Sequence, residues 1–109
     1  MNIYIGDCIE NVNINDKNIE LSDDFLEFLF KNRSSICSKE YVLNEIDPYD
    51  DTIIEYQDLH RLLSMCKSVM ESDILEKYED MEDVNNFKGL VLLVKEAMQN
   101  HSNMIIIGD

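Results

Sequence analysis

Two stretches of the chain repeat apolar residues at the period of an α-helix. Leu59, Leu62, Leu63, Cys66 and Met70 fall at i, i+3, i+4, i+7 and i+11, with Val69 beside them. That spacing stacks side chains on one face and predicts an amphipathic helix. Phe87, Leu90, Val91, Val94 and Met98 repeat it. Leu92 and Leu93 widen the apolar face there, so this helix is expected to be the more buried of the two. The polar link between them, residues 72–83, carries Asp73 and Glu76 three apart, a spacing that can cap a short extra helix. A third helix is expected over residues 23–32. Ser22 offers a hydroxyl to cap it, and Asp23 and Asp24 favour its positive dipole end. Phe25, Leu26, Phe28, Leu29 and Phe30 supply its apolar body, and Lys31 and Arg33 follow where cations are favoured.

The two ends of the sequence carry a different pattern. Asn2-Ile3-Tyr4-Ile5-Gly6 is β-branched and aromatic and stops at Gly6-Asp7, which predicts a short strand. Met104-Ile105-Ile106-Ile107-Gly108-Asp109 predicts a second. Three successive isoleucines suit a strand covered on both faces, hence a central one. Five similar residues at each end are too few to argue a repeat, but paired termini would close the fold on itself. Between Ile9 and Leu21, Val12 and Ile14 alternate with asparagines, and Asn15-Asp16-Lys17-Asn18 is turn chemistry, so a weak hairpin or irregular edge is expected. Tyr41-Val42-Leu43 and Ile46 fit either a strand or a helical turn. Pro48 pushes Asp47 out of helical conformation and ends any helix there.

These elements predict an α+β fold, with three or four helices packed on a small sheet that contains both termini. With 109 residues, 45% of them hydrophobic, the chain suits one globular domain over 1–109 with its own core. Cys8, Cys37 and Cys66 are odd in number, far apart and without a C-x-x-C. They read as reduced thiols of a cytoplasmic protein. No basic-then-apolar leader opens the chain, and no apolar run approaches the roughly 20 residues of a membrane span.

Charge changes the picture most. Twenty-three acids against nine bases give a net charge of −14. Phosphate backbones and anionic membranes would be repelled, so neither nucleic acid nor membrane is expected as a direct partner. A strongly basic protein surface would be attracted and its approach steered.

Candidate chemistry adds little. The cluster Asp47-Pro48-Tyr49-Asp50-Asp51-Thr52 invites a calcium loop, but counting from Asp47 places Tyr49 at position 3, Thr52 at 6 and Asp58 at 12. Such a loop needs an acid, a glycine and a glutamate there. His60 and Cys66 are six apart and share no helix face as zinc ligands would, and Cys66 fits the core stripe. His101 reads as a helix C-terminal residue. The three glycines form no phosphate loop, no G-x-S-x-G elbow is present, and carboxylates are too abundant to single out a hydrolytic pair. No enzyme, cofactor or metal is read from this sequence.

The acidic runs remain. Residues 44–59 carry Glu45, Asp47, Asp50, Asp51, Glu55 and Asp58 with no base. Residues 71–83 carry Glu71, Asp73, Glu76, Glu79, Asp80, Glu82 and Asp83 against Lys77. Charge runs are commonly solvated faces. Here both runs flank the same predicted helix, and Tyr49, Tyr56 and Tyr78 lie among the acids. Tyrosine buries area at low entropic cost beside carboxylates that pair with lysine or arginine. The candidate partner-binding residues are therefore Asp47, Tyr49, Asp50, Asp51, Glu55, Tyr56, Asp58, Glu76, Glu79 and Asp80.

In length, acidity, cysteine usage, terminal strands and acidic segments such as Leu21–Phe30 and Ile46–Asp58, the chain resembles the small acidic immunity proteins of bacterial toxin–immunity pairs. That resemblance implies a protein that binds one cognate toxin domain tightly and blocks its active site. Many such toxins are nucleases with basic clefts, which an acidic surface would fill as nucleic acid does. The alternative is a cytosolic adaptor or regulatory binding protein whose acidity only maintains solubility. It would bind through an apolar groove with little dependence on salt. On the first reading, neutralising Asp47, Asp50 and Asp51 together slows association with a basic partner more than it destabilises the fold. Stopped-flow association at low salt, beside urea unfolding, tests this, and an unchanged rate would reject that surface.

Overall fold

The structure is a computed structural model that describes residues 1–13, 15–36 and 50–108. Among the described residues, four strands and three α-helices form an α+β fold in the order β1 (Asn2–Ile5), β2 (Asn18–Glu20), α1 (Asp23–Lys31), β3 (Thr52–Ile54), α2 (Leu59–Glu71), α3 (Met81–Gln99) and β4 (Met104–Ile107). The segment with Tyr41, Val42, Leu43, Ile46 and Pro48, and the residues Ile14, Cys37 and Asp109, lie outside the described residues.

The sheet runs β2-β1-β4-β3, with antiparallel neighbours throughout. The terminal strands are its two central members. Asn2, Ile3, Tyr4 and Ile5 stand opposite Ile107, Ile106, Ile105 and Met104. The strand alternation then assigns two faces. Ile3, Ile54, Met104 and Ile106 join one core with the helices, and Ile5 and Ile19 pack against it. Tyr4 and Ile105, side by side on the other face, are also buried but stand apart from that core. The isoleucine run is thus covered on both faces, as its composition suggests. Strand β2 is the edge next to β1. Its turn is tied by Asn13 N–H to Asp16 Oδ2 at 3.0 Å, Asn15 N–H to Asn13 Oδ1 at 2.9 Å and Asn18 Nδ2 to the Asp16 carbonyl at 2.9 Å. A single 3₁₀ turn, Ile9–Asn11, precedes it.

Each helix starts near its sequence signal, but the buried faces differ from the expected stripes. In α2 the core residues are Leu59, Leu62, Met65, Cys66 and Val69, while Met70 is 40% exposed. At 100° per residue the buried arc is rotated by about 60° from the Leu63–Met70 side towards Met65. The same happens in α3. Phe87, Leu90, Leu93, Val94 and Ala97 are buried, whereas Leu92 is 68% exposed on the opposite side and widens nothing. Both helices turn towards the sheet and each other, and periodicity alone does not say where those neighbours stand. In α1, Phe25 and Leu29 are buried. Phe30 is exposed under the Arg33 guanidinium, 4.0 Å from its ring centroid.

The link between α2 and α3 holds the short extra helix as a 3₁₀ turn, Ile74–Lys77, pinned by the fully buried Ile74. Asp73 caps it with no side-chain bond. Helix α3 passes close to the edge strand at Gly89, where a Cβ would meet Ile19 Cδ1 at 2.8 Å. A mid-helix glycine costs about 1 kcal/mol of propensity, and here that cost admits β2 against the helix.

Cys8 and Cys66 are free thiols. Cys66 is fully buried, and that burial pushes its thiol up to about 12. Its folded form holds the proton that the unfolded form releases above about pH 9. The contribution to stability is therefore complete below pH 9 and lost as pH rises towards 12. Native labelling with iodoacetamide at mildly alkaline pH is expected to modify Cys8 and spare Cys66, which reacts only after denaturation. Peptide mass mapping reads the result, and rapid native labelling of Cys66 would contradict the packing.

Candidate functional site

The ten candidate binding residues fall into separate groups. Asp47 and Tyr49 lie outside the described residues. Asp50 and Asp51 precede β3, and Asp51 Oδ1 accepts the Gly108 N–H at 3.2 Å, tying β3 to the far end of β4. Asp51 also lines a hollow of about 350 Å³ on the outer sheet face with Asn2, Tyr4, Ile9, Val12 and Ile107. Glu55, Tyr56 and Asp58 follow β3 and lead into α2. Glu76, Glu79 and Asp80 lie beyond the other end of α2. That helix has 13 residues, about 20 Å at 1.5 Å each. The two acidic runs thus border opposite ends of the helix rather than one continuous patch.

At the first end, Tyr56 is exposed and its ring stacks on His101, with centroids 5.0 Å apart. His101 closes α3. Its N–H donates to the Met98 carbonyl at 3.3 Å, and the Ser102 N–H reaches Ala97 at 3.0 Å. These two bonds form a Schellman turn, which needs a left-handed residue, and His101 occupies it at φ 54°. Asn103 then knits three segments together. Its side-chain oxygen accepts the Tyr56 N–H at 2.7 Å, its carbonyl accepts the Gly6 N–H at 3.0 Å, and its own N–H donates to Asp7 Oδ1 at 3.1 Å. The expectation that His101 sits at a helix end is met, and its ring packs on a candidate interface tyrosine.

At the second end, Tyr78 has a structural duty. Its ring packs edge-on against Phe25, centroids 5.1 Å apart, and lies 4.8 Å from Phe28. Its hydroxyl donates to Asp83 Oδ2 at 2.9 Å. The Ser22 hydroxyl donates to the same oxygen at 2.8 Å while accepting the Phe25 N–H at 3.2 Å. Asp80 caps α3 by accepting the Glu82 N–H at 2.9 Å. The positive ends of α1 and α3 therefore meet around one carboxylate, Asp83. Sequence reading identified the Ser22 cap but not its long-range partner, because Asp83 is 61 residues away and surrounded by other acids.

Two hollows adjoin at Tyr78. One, of about 470 Å³, is lined by Met70, Ser72, Leu75, Glu76, Tyr78, Met81, Val84 and Lys88. The other, of about 400 Å³, is lined by Asp24, Lys77, Tyr78, Glu79, Asp80 and Asp83. Met70 and Met81 are among the exposed large apolar residues. Lys77 stands 3.9 Å from Asp73, an exposed pair of small energetic weight. Among the described residues no group of three or more histidines, cysteines and acids could hold a metal ion. Nor is any helix long and apolar enough to cross a membrane.

No protein-family model, curated protein or solved structure matches the chain.

Partial burial first, and the Asp83 carboxylate next, hold the Tyr78 phenol above its ordinary value of 10. The proton is held more tightly in the folded state, so this contribution to stability is present below pH 10 and lost as pH climbs through the raised value. Replacing Asp83 by Asn should bring the phenol down, as read by ultraviolet titration of the phenolate band. The same substitution is expected to cost about 1–3 kcal/mol in urea unfolding. Ser22→Ala should cost about 1 kcal/mol, and the double variant less than the sum.

Proposed function

We propose that this protein is an immunity-type inhibitor that binds a cognate basic toxin domain and neutralises it through its carboxylates. A nuclease cleft is the kind of surface such an acidic protein would fill. The observation that carries this reading is charge left without counter-charge on a built, folded surface. The net charge is −14. Asp50, Glu76 and Glu79 are exposed and make no ion pair with any described residue. Carboxylates in that state repel one another and lower the barrier to encounter with a basic partner. Tyr56 adds an exposed aromatic beside Glu55 and Asp58 at one end of α2. The free Cys8 and Cys66 suit the reducing cytoplasm in which such a protein would act.

The adaptor alternative draws support from the exposed methionines beside the apolar hollow. Salt separates the two readings, since screening at high ionic strength weakens steering but spares apolar docking.

The test is to identify the neighbouring genes and, where one encodes a protein ending in a basic domain, to co-express that domain with this protein. Protection of growth, with a complex whose association slows at least tenfold between low and high salt, is expected. A complex whose association ignores salt, or toxicity that persists despite folded protein, would reject the inhibitor reading.

A further inference from the structure

The two hollows that meet at Tyr78 differ in chemistry. Met70, Leu75, Met81 and Val84 give the first its apolar part, beside Ser72, Glu76 and Lys88. Met70, on the last turn of α2, is 40% exposed, and Met81, on the first turn of α3, is 60% exposed. Methionine side chains are flexible and polarisable, and on a surface they adapt to varied apolar partners. The second hollow holds four carboxylates against Lys77. Two of them are committed internally, Asp80 to the α3 cap and Asp83 to Ser22 and Tyr78. Asp24 and Glu79 are exposed and have no hydrogen-bond or ion-pair partner among the described residues.

We propose that this bipartite hollow docks a basic segment of a partner protein, with an apolar side chain between Met70 and Met81 and a neighbouring lysine or arginine against Asp24 and Glu79. Charge decides the occupant. A second copy of this chain also carries −14 and would bring like charge against the seven acids of residues 71–83. A neutral apolar ligand would leave the carboxylates of the second hollow unused. A cationic segment with an apolar anchor uses both halves, and the shared Tyr78 wall fixes the two side chains next to each other. The first hollow also has the volume of an ordinary ligand site. Helix-in-groove recognition places apolar anchors at i, i+3, i+4 and i+7, which leaves the intervening positions open to basic residues. This inference rests on the reading that the protein binds a basic partner, but not on that partner being a toxin.

Three synthetic helical peptides of about 18 residues probe it. One is an amphipathic leucine–lysine peptide, one a serine–lysine peptide of equal charge, and one a leucine–glutamine peptide without charge. Fluorescence anisotropy gives affinity, and ¹³C-methyl methionine spectra give location. The leucine–lysine peptide is expected to bind at least tenfold tighter than either control, with shifts concentrated at Met70 and Met81. The pair Met70→Ser and Met81→Ser should remove that tenfold margin while circular dichroism stays unchanged, since both side chains are already exposed. The pair Asp24→Asn and Glu79→Gln should flatten the salt dependence. Equal binding of the serine–lysine peptide would overturn the apolar half, and equal binding of the leucine–glutamine peptide the charged half. Shifts confined to other methionines would overturn the location. A concentration-dependent dimer abolished by the methionine pair would assign the hollow to a second copy instead. If the methionine variant still protects against a basic toxin domain, this docking site fails while the inhibitor reading stands. If the peptide docks but no toxin domain is neutralised, the reverse holds.

Discussion

The pairing of the first strand with the last holds this structure together. Four residues of β1 lie against four of β4, about a hundred positions away in sequence. The other described strands attach to this pair, β2 outside β1 and β3 outside β4. The helices then cover the face that carries Ile3, Met104 and Ile106. Contacts of such long sequence separation are reached late, because the entropy of closing the chain precedes the gain from burial. The isoleucine run at 105–107 offsets that cost by burying Ile105 and Ile106 on opposite faces at once.

Around that centre, polar side chains do the joining. Asn103 fastens the sheet end to Tyr56 and Gly6, and Asp51 fastens β3 to Gly108. Asp83 joins two helix starts and a tyrosine. Several acids that look alike in sequence therefore divide into two kinds. Asp7, Asp51, Asp80 and Asp83 accept hydrogen bonds that hold the fold. The side chains of Asp24, Glu76 and Glu79 are exposed and make no hydrogen bond or ion pair among the described residues. A partner gains most from the second kind, whose desolvation breaks nothing inside the protein.

The same division explains how the tyrosines separate. Tyr56 and Tyr78 both sit in acidic stretches and look equivalent as interface residues. Tyr78 is half-buried, packs on Phe25 and Phe28 against the core, and lines both hollows. Tyr56 stands on the surface against His101. Its neighbour comes from the other end of α3's sequence, which no local pattern announces.

The sequence by itself determined the α+β class, the three helices, the terminal strands and the excess of negative charge. Each of those rests on local propensity, on periodicity or on a sum over residues. Period also located apolar faces, but not their rotation. Met70 and Leu92 belong to apolar stretches and yet face outward, while Met65 and Ala97 face inward. The tertiary structure alone decided this, because a helix buries whatever points at its neighbours, and those neighbours lie far away in sequence. It also decided that Asp83 serves two helices and that Met70 and Met81 line one hollow. Such juxtapositions are made by the packing of elements, and only the folded chain brings them together.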